Sequence, residues 1–217
     1  MKYQDSFSID NFIDTVLTSR QNKDIFWGVM GDSIIIGNAS VMIKFDKSRL
    51  KKKSLSKLLQ IFKKHRCPQP DTVIRVHNNG PALENERVKM FVNNIDNNKD
   101  DISVIKPTAF SLSNYKGTTV RVFATESKYF LLDNDFVNAC IDYSRHKKLF
   151  YDEDDITDIF TNIYIHIAPC SSVVVFKSDN FRYKDITMYI APNRKDSFDM
   201  WLMEHLPEPA VLFQHEQ

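Results

Sequence analysis

The chain has 217 residues, enough for one large domain or two small ones. Hydrophobic residues at 42% and aromatics at 12% exclude global disorder, while 29 basic against 28 acidic side chains leave the total charge silent about partners. Three widely spaced cysteines with no CxxC pair exclude a zinc ribbon or a thioredoxin-like site, so Cys67, Cys140 and Cys170 read as reduced thiols.

The first ten residues lack the apolar stretch of a secretory signal, and no run approaches the ~18 apolar residues that cross a bilayer. A cytoplasmic location and no membrane partner are therefore expected. Glycine is scarce, so turns fall to asparagine at Asn78-Asn79-Gly80, Asn93-Asn94 and Asn97-Asn98. The wealth of Lys, Asn, Ile and Asp fits an AT-rich coding genome, as in many bacteria, phages and mobile elements.

In chain order, the first predicted element is a helix over residues 9–19, where Ile9, Phe12, Ile13, Val16 and Leu17 share one face and Ser8 or Asp10 caps the start. Short apolar runs at 25–30, 33–36 and 41–45 read as strands, the last two joined by a Gly37-Asn38 turn. A second helix is predicted over 48–65, closed by Cys67-Pro68. Strands follow at 72–77, 88–92, 102–105, 118–125 and 128–132, with the polar stretch 93–101 as a boundary between halves. A third helix is predicted from Asp133 to Lys147. A helical turn from Asp152 toward Phe160 follows, then strands at 163–167, 173–177 and 186–190 and an amphipathic segment at 197–206. These elements predict a strand-rich α+β fold with mainly antiparallel sheets. Residues 1–96 and 97–195 would form two pseudo-repeated units and 196–217 a C-terminal helix and tail, with a single domain as the alternative.

The halves suggest their own relation. Residues 33–50, SIIIGNASVMIKFDKSRL, align without gaps to residues 120–137, VRVFATESKYFLLDNDFV, at an offset of 87. Both read as strand, four-residue turn, strand, Asp and helix start, with Asp46 and Asp133 as equivalent caps. Identities are few, so duplication and convergence both remain open.

The strongest charge feature is residues 47–66, KSRLKKKSLSKLLQIFKKHR. Lys47, Arg49, Lys51, Lys52, Lys53, Lys57, Lys63, Lys64 and Arg66 meet no acidic residue there, and Leu50, Leu55, Leu58, Leu59, Ile61 and Phe62 supply an apolar face. Such a helix suits the phosphates of duplex DNA, whose neutralisation releases counterions without reading sequence. A merely solvated face is the plain alternative. Arg145, Lys147 and Lys148 form a smaller group, explained equally by a helix C-terminus.

Catalytic signals are weak. The acidic run Asp152 to Asp155 lacks calcium-loop spacing, and Glu126-Ser127-Lys128 supplies only an E-x-K pair at a predicted hairpin turn. His166 and Cys170 lie four apart without a flanking signature, and His166 falls in an alternating strand. No cofactor or metal site is predicted. Trp27 is expected in a core strand, and Trp201 in a segment that docks on the body or mediates assembly.

The segment SSVVVFKSDNFRYKDITMYIAPNR, ending in Pro192-Asn193-Arg194, resembles the terminal hairpin of DNA polymerase sliding clamps, especially compact phage-type forms. Residues 123–143 resemble the strand-to-helix unit of the same family, without its Thr-Asp-Gly turn. The matching segments cover well under half of the chain, and a tail follows Arg194. The resemblance implies a non-enzymatic, pseudo-symmetric protein whose basic helices meet duplex phosphates, with double-stranded DNA, a replication or host protein and further copies of the chain as partners. A protein-interaction adaptor is the alternative, and a metal-dependent hydrolase ranks last.

Overall fold

The computed structural model describes residues 7–18, 24–97, 102–115, 118–141, 159–168 and 171–193, together with 206, 208 and 209. Nine strands form one antiparallel sheet: β1 (Asp24–Met30), β2 (Ser33–Asn38), β3 (Val41–Asp46), β4 (Val73–His77), β5 (Ala82–Glu84), β6 (Ile102–Val104), β10 (Asn162–Ala168), β11 (Ser171–Lys177) and β12 (Thr187–Ile190). Their order is β5-β4-β1-β2-β3-β12-β11-β10-β6. The remaining strands, β7 (Lys106–Tyr115), β8 (Thr118–Ala124) and β9 (Tyr129–Asp133), make a separate antiparallel sheet. The fold is α+β. The seam is the β3–β12 pair, from Lys44 opposite Thr187 to Val41 opposite Ile190, which joins early and late chain in one sheet.

The central strands are apolar on both sides because both faces of the large sheet are covered. On one face Trp27, Ile36, Ile43, Phe45, Ile74, Phe176 and Met188 pack with two helical segments. The first, α1 (Ile9–Phe12), continues as a π-helical turn over Ile13–Leu17 and is capped by Ser8, whose hydroxyl accepts from the Asn11 amide at 3.1 Å. The second, α2 (Lys52–Ile61), buries Ser54 and Leu58. On the other face Phe26, Ile35, Met42, Val73, Val175 and Tyr189 pack with α3 (Glu86–Asn97). The β2–β3 turn forms where Gly37-Asn38 predicts it, with Asn38 Oδ1 accepting from the Ser40 and Val41 amides at 2.8 and 2.9 Å.

Three expectations are overturned. Residues 88–92 are not a strand, and the polar stretch does not begin at 93. Both belong to α3, because Val88, Val92 and Ile95 recur at helical spacing and bury one side against the sheet. The basic helix does not start at residue 48: Asp46 caps only a 3₁₀ turn, Lys47–Arg49, Leu50 is extended, and α2 starts at Lys52. The third helix is α4 (Asn134–Val137), which gives way to a turn so that Ile141 forms a β-bridge with Phe7. Residues 142–147 of that expectation lie outside the described residues, as do the acidic run 152–155, Arg194 and the segment 197–205. Strands β5 and β7 were not expected.

The two aligned segments fold alike locally. Ser33 pairs with Asp46 and Gly37 with Met42, and at the same offset Val120 pairs with Asp133 and Ala124 with Tyr129. Each strand pair ends in an aspartate whose carboxylate accepts the amide two residues on, Ser48 in one case and Asp135 in the other, both at 2.8 Å.

Candidate nucleic-acid interface

The basic segment is positioned by what it buries. Leu58 and Phe62 enter the core, Phe62 lying 5.5 Å from the Trp27 ring, while Leu50, Leu55, Leu59 and Ile61 pack at its margin. The helix ends in a Schellman motif: the Lys64 amide reaches the Leu59 carbonyl at 2.9 Å and the Lys63 amide the Gln60 carbonyl at 3.3 Å. Lys63 takes the left-handed conformation that glycine usually supplies, at φ 50°. The chain therefore turns at Lys63 and never reaches Cys67-Pro68 as helix.

The predicted cations divide into two sets. Lys53 pairs with Asp10 at 3.1 Å, and Lys57 with Asp14 at 2.6 Å, so α1 and its π-helical continuation are laced to α2. Partial burial raises the Asp10 pKa, but hydrogen bonds from Ser54 and Lys53 and the charges of Lys57 and Lys53 outweigh it, and the carboxyl sits below its usual range. Lys47 meets Asp32 at 3.0 Å on an exposed surface. Arg49 is held by Asp185 at 2.5 and 2.6 Å, donates to the Arg182 carbonyl, and lies 6.0 Å from the Phe7 ring centroid.

The second set is Lys51, Lys52, Lys63, Lys64 and Arg66. All are exposed, and none has a carboxylate partner among the described residues. They bracket α2 at both ends, with Ser56 and Gln60 exposed between. The exposed face is therefore cationic at its ends and neutralised along one flank by the first helix. Arg145, Lys147 and Lys148 lie outside the described residues.

Among the described residues the alternative chemistries do not assemble. Glu126-Ser127-Lys128 occupies the β8–β9 turn, where Thr125 Oγ1 accepts from the Ser127 and Lys128 amides at 3.4 and 3.1 Å. His166 is buried in β10 and its Nε2 has no hydrogen-bond partner, while Cys170 lies outside the described residues. Cys67 is half-buried, and burial pushes the Cys140 thiol up to about 12, which makes it a poor nucleophile at neutral pH. Among the described residues no group of three His, Cys, Asp or Glu side chains could hold a metal ion, and no helix is long and apolar enough to cross a membrane.

Asp10, expected only as an alternative cap, and Asp14, not expected at all, have an i, i+4 spacing that signals a charged stripe facing the lysines. The sequence reading also passed over Phe181, Arg182 and Lys184 in the β11–β12 turn, where an aromatic stands among cations. No protein-family model and no curated protein matches the chain.

Proposed function

We propose that this chain is a non-enzymatic, sliding-clamp-like protein of phage or mobile-element type that associates with duplex DNA through phosphate contacts. The observation that carries the reading is the exposed set Lys51, Lys52, Lys63, Lys64 and Arg66, displayed at the two ends of a helix whose apolar side packs on the core. Cations at the ends of a docked helix meet phosphates at the cost of their own side-chain ordering and read no bases. The common register of the two hairpins adds support, because a repeated strand-to-helix unit is what the clamp resemblance implies, with β2–β3 in the nine-stranded sheet and β8–β9 in the three-stranded one. Assembly from several copies belongs to the same proposal.

The test is duplex binding by fluorescence anisotropy over a salt series. Lys53 and Lys57 are committed to carboxylates, so the informative variant combines Lys51→Glu and Lys52→Glu. Affinity is expected to fall roughly tenfold or more, with the slope of log K against log salt shallower by about 0.9 for each phosphate no longer neutralised. Unchanged affinity and slope would remove the helix from the interface, and a partner retained after nuclease treatment would favour an acidic protein instead.

A further inference from the structure

The turn between β11 and β12 is a built loop. Ser178 Oγ accepts from the Asn180 amide at 3.1 Å, and Asn180 Oδ1 accepts from the Arg182 amide at 3.0 Å. The Asn180 carbonyl accepts from the Tyr183 amide, and the Tyr183 carbonyl from that of Ile186, both at 2.8 Å. Tyr183 points into the main core at 6% exposure. Phe181, two residues earlier, is 76% exposed, the most exposed large apolar side chain among the described residues. The Arg182 guanidinium lies 5.7 Å from its ring centroid, and Lys184 is exposed beside it.

The loop adjoins the basic segment on one side and a groove on the other. Arg49 grips Asp185 and the Arg182 carbonyl, and only Leu50 separates it from Lys51 and Lys52. Lys184 also lines an open groove of about 1010 Å³ between β6, β10 and the loop, together with Lys106, Lys177, Tyr164 and Val104. The carboxylate in its lining, Asp179, accepts from Asn162 at 2.5 Å, and Lys177 Nζ lies 5.4 Å from the Tyr164 ring centroid. A held, exposed aromatic beside a groove rich in lysine is the arrangement that takes unpaired bases and their phosphates.

We infer that the β11–β12 turn and its groove bind single-stranded nucleic acid, one base stacking on Phe181 while phosphates meet Arg182, Lys184 and Lys177. Duplex bases are stacked on one another and offer Phe181 no free face, so the loop distinguishes unpaired from paired strands. The inference rests on the nucleic-acid reading of the basic helix and extends it to a second strand form.

The experiment compares fluorescein-labelled oligo-dT with a duplex of equal length against the full chain, with Phe181→Ala and Phe181→Trp. Phe181→Ala is expected to weaken oligo-dT binding roughly 5- to 100-fold, from the measured worth of one stacked base, and to leave duplex binding within about twofold. Phe181→Trp should retain affinity, and its emission should be quenched as oligo-dT is added. Equal effects of Phe181→Ala on both ligands, or an unquenched tryptophan, would overturn the inference, as would Phe181-dependent capture of polyglutamate in place of oligo-dT. Duplex binding that depends on Lys51 and Lys52 without any oligo-dT binding would overturn this inference alone. Loss of that dependence with Phe181-dependent oligo-dT binding intact would overturn only the duplex proposal.

Discussion

Residues 33–46 and 120–133 make the same hairpin in the same register, yet they are finished differently. Ile36, Ile43 and Phe45 of the first correspond to Phe123, Phe130 and Leu132 of the second, and all six enter the main core. The opposite sides diverge. Ile35 and Met42 are covered by α3, whereas Val122 and Tyr129 are covered by Phe110, Leu112 and Leu206. Lys44, which pairs with Asp96 of α3 at 2.6 Å, corresponds to Leu131, which is buried. A shared strand pattern fixes which residues face the common core, while the cover on the far side decides whether an outward position holds a charge or a leucine.

The capping aspartates carry the contrast into electrostatics. Hydrogen bonds from the Ser48 side chain and amide hold Asp46 below the usual carboxylate range on an exposed surface. Partial burial pushes Asp133 above that range, against the lowering effect of the Asp135 amide bond. The same cap geometry yields opposite shifts because the Ser48 hydroxyl gives Asp46 a further hydrogen bond, while burial and the Asp135 charge act on Asp133.

Core truncation is the strongest way to break the equivalence. Phe45→Ala and Leu132→Ala, both at wholly buried sites, are each expected to cost about 2–5 kcal/mol in urea unfolding. If one is near neutral, the two inward faces are not equivalent. Next comes the position where the hairpins differ most. A Cβ on Gly37 would lie 2.5 Å from Met42 Cα and clash with the Val41 carbonyl, whereas its counterpart is Ala124. Gly37→Ala should cost about 1–3 kcal/mol by overpacking, and Ala124→Gly about 0.5–1 kcal/mol by backbone entropy. Similar small losses at both sites would show the β2–β3 turn to be more yielding than its packing indicates.

The smallest effect is the pH slope. Asp46, with its pKa lowered on folding, contributes stability that is present above the unfolded value and lost as pH falls through the folded one. Asp133, with its pKa raised, behaves oppositely: its contribution is full below the unfolded value and declines as pH rises through the folded one. Asparagine keeps the cap in both places. Between about pH 3 and 7, stability of Asp133→Asn relative to the parent should therefore rise with pH, and that of Asp46→Asn should fall. Slopes of the same sign would show that the two caps share one environment.

Much of the secondary structure was legible because it is local. The face of Ile9, Phe12, Ile13 and Val16, the Gly37-Asn38 turn and the hairpin-to-cap pattern each depend on residues within a few positions of one another. Helix α3 was misread because Val88–Val92, taken alone, is as compatible with a strand as with a helix, and only Ile95, beyond that window, completes the helical stripe. The cations were visible, but their state was not. Lys53 and Lys57 are neutralised by Asp10 and Asp14, more than forty residues away in sequence, and Arg49 by Asp185, 136 residues away.

By itself the sequence determined the α+β class, the strand-rich core and the cationic character of residues 47–66, because composition and short-range periodicity specify them. Only the tertiary structure decided which lysines meet a carboxylate among the described residues, which hairpin face carries α3, and that β3 and β12 join early and late strands in one sheet. Those outcomes come from contacts between distant segments, where charge neutralisation and burial are set by neighbours that no local pattern names.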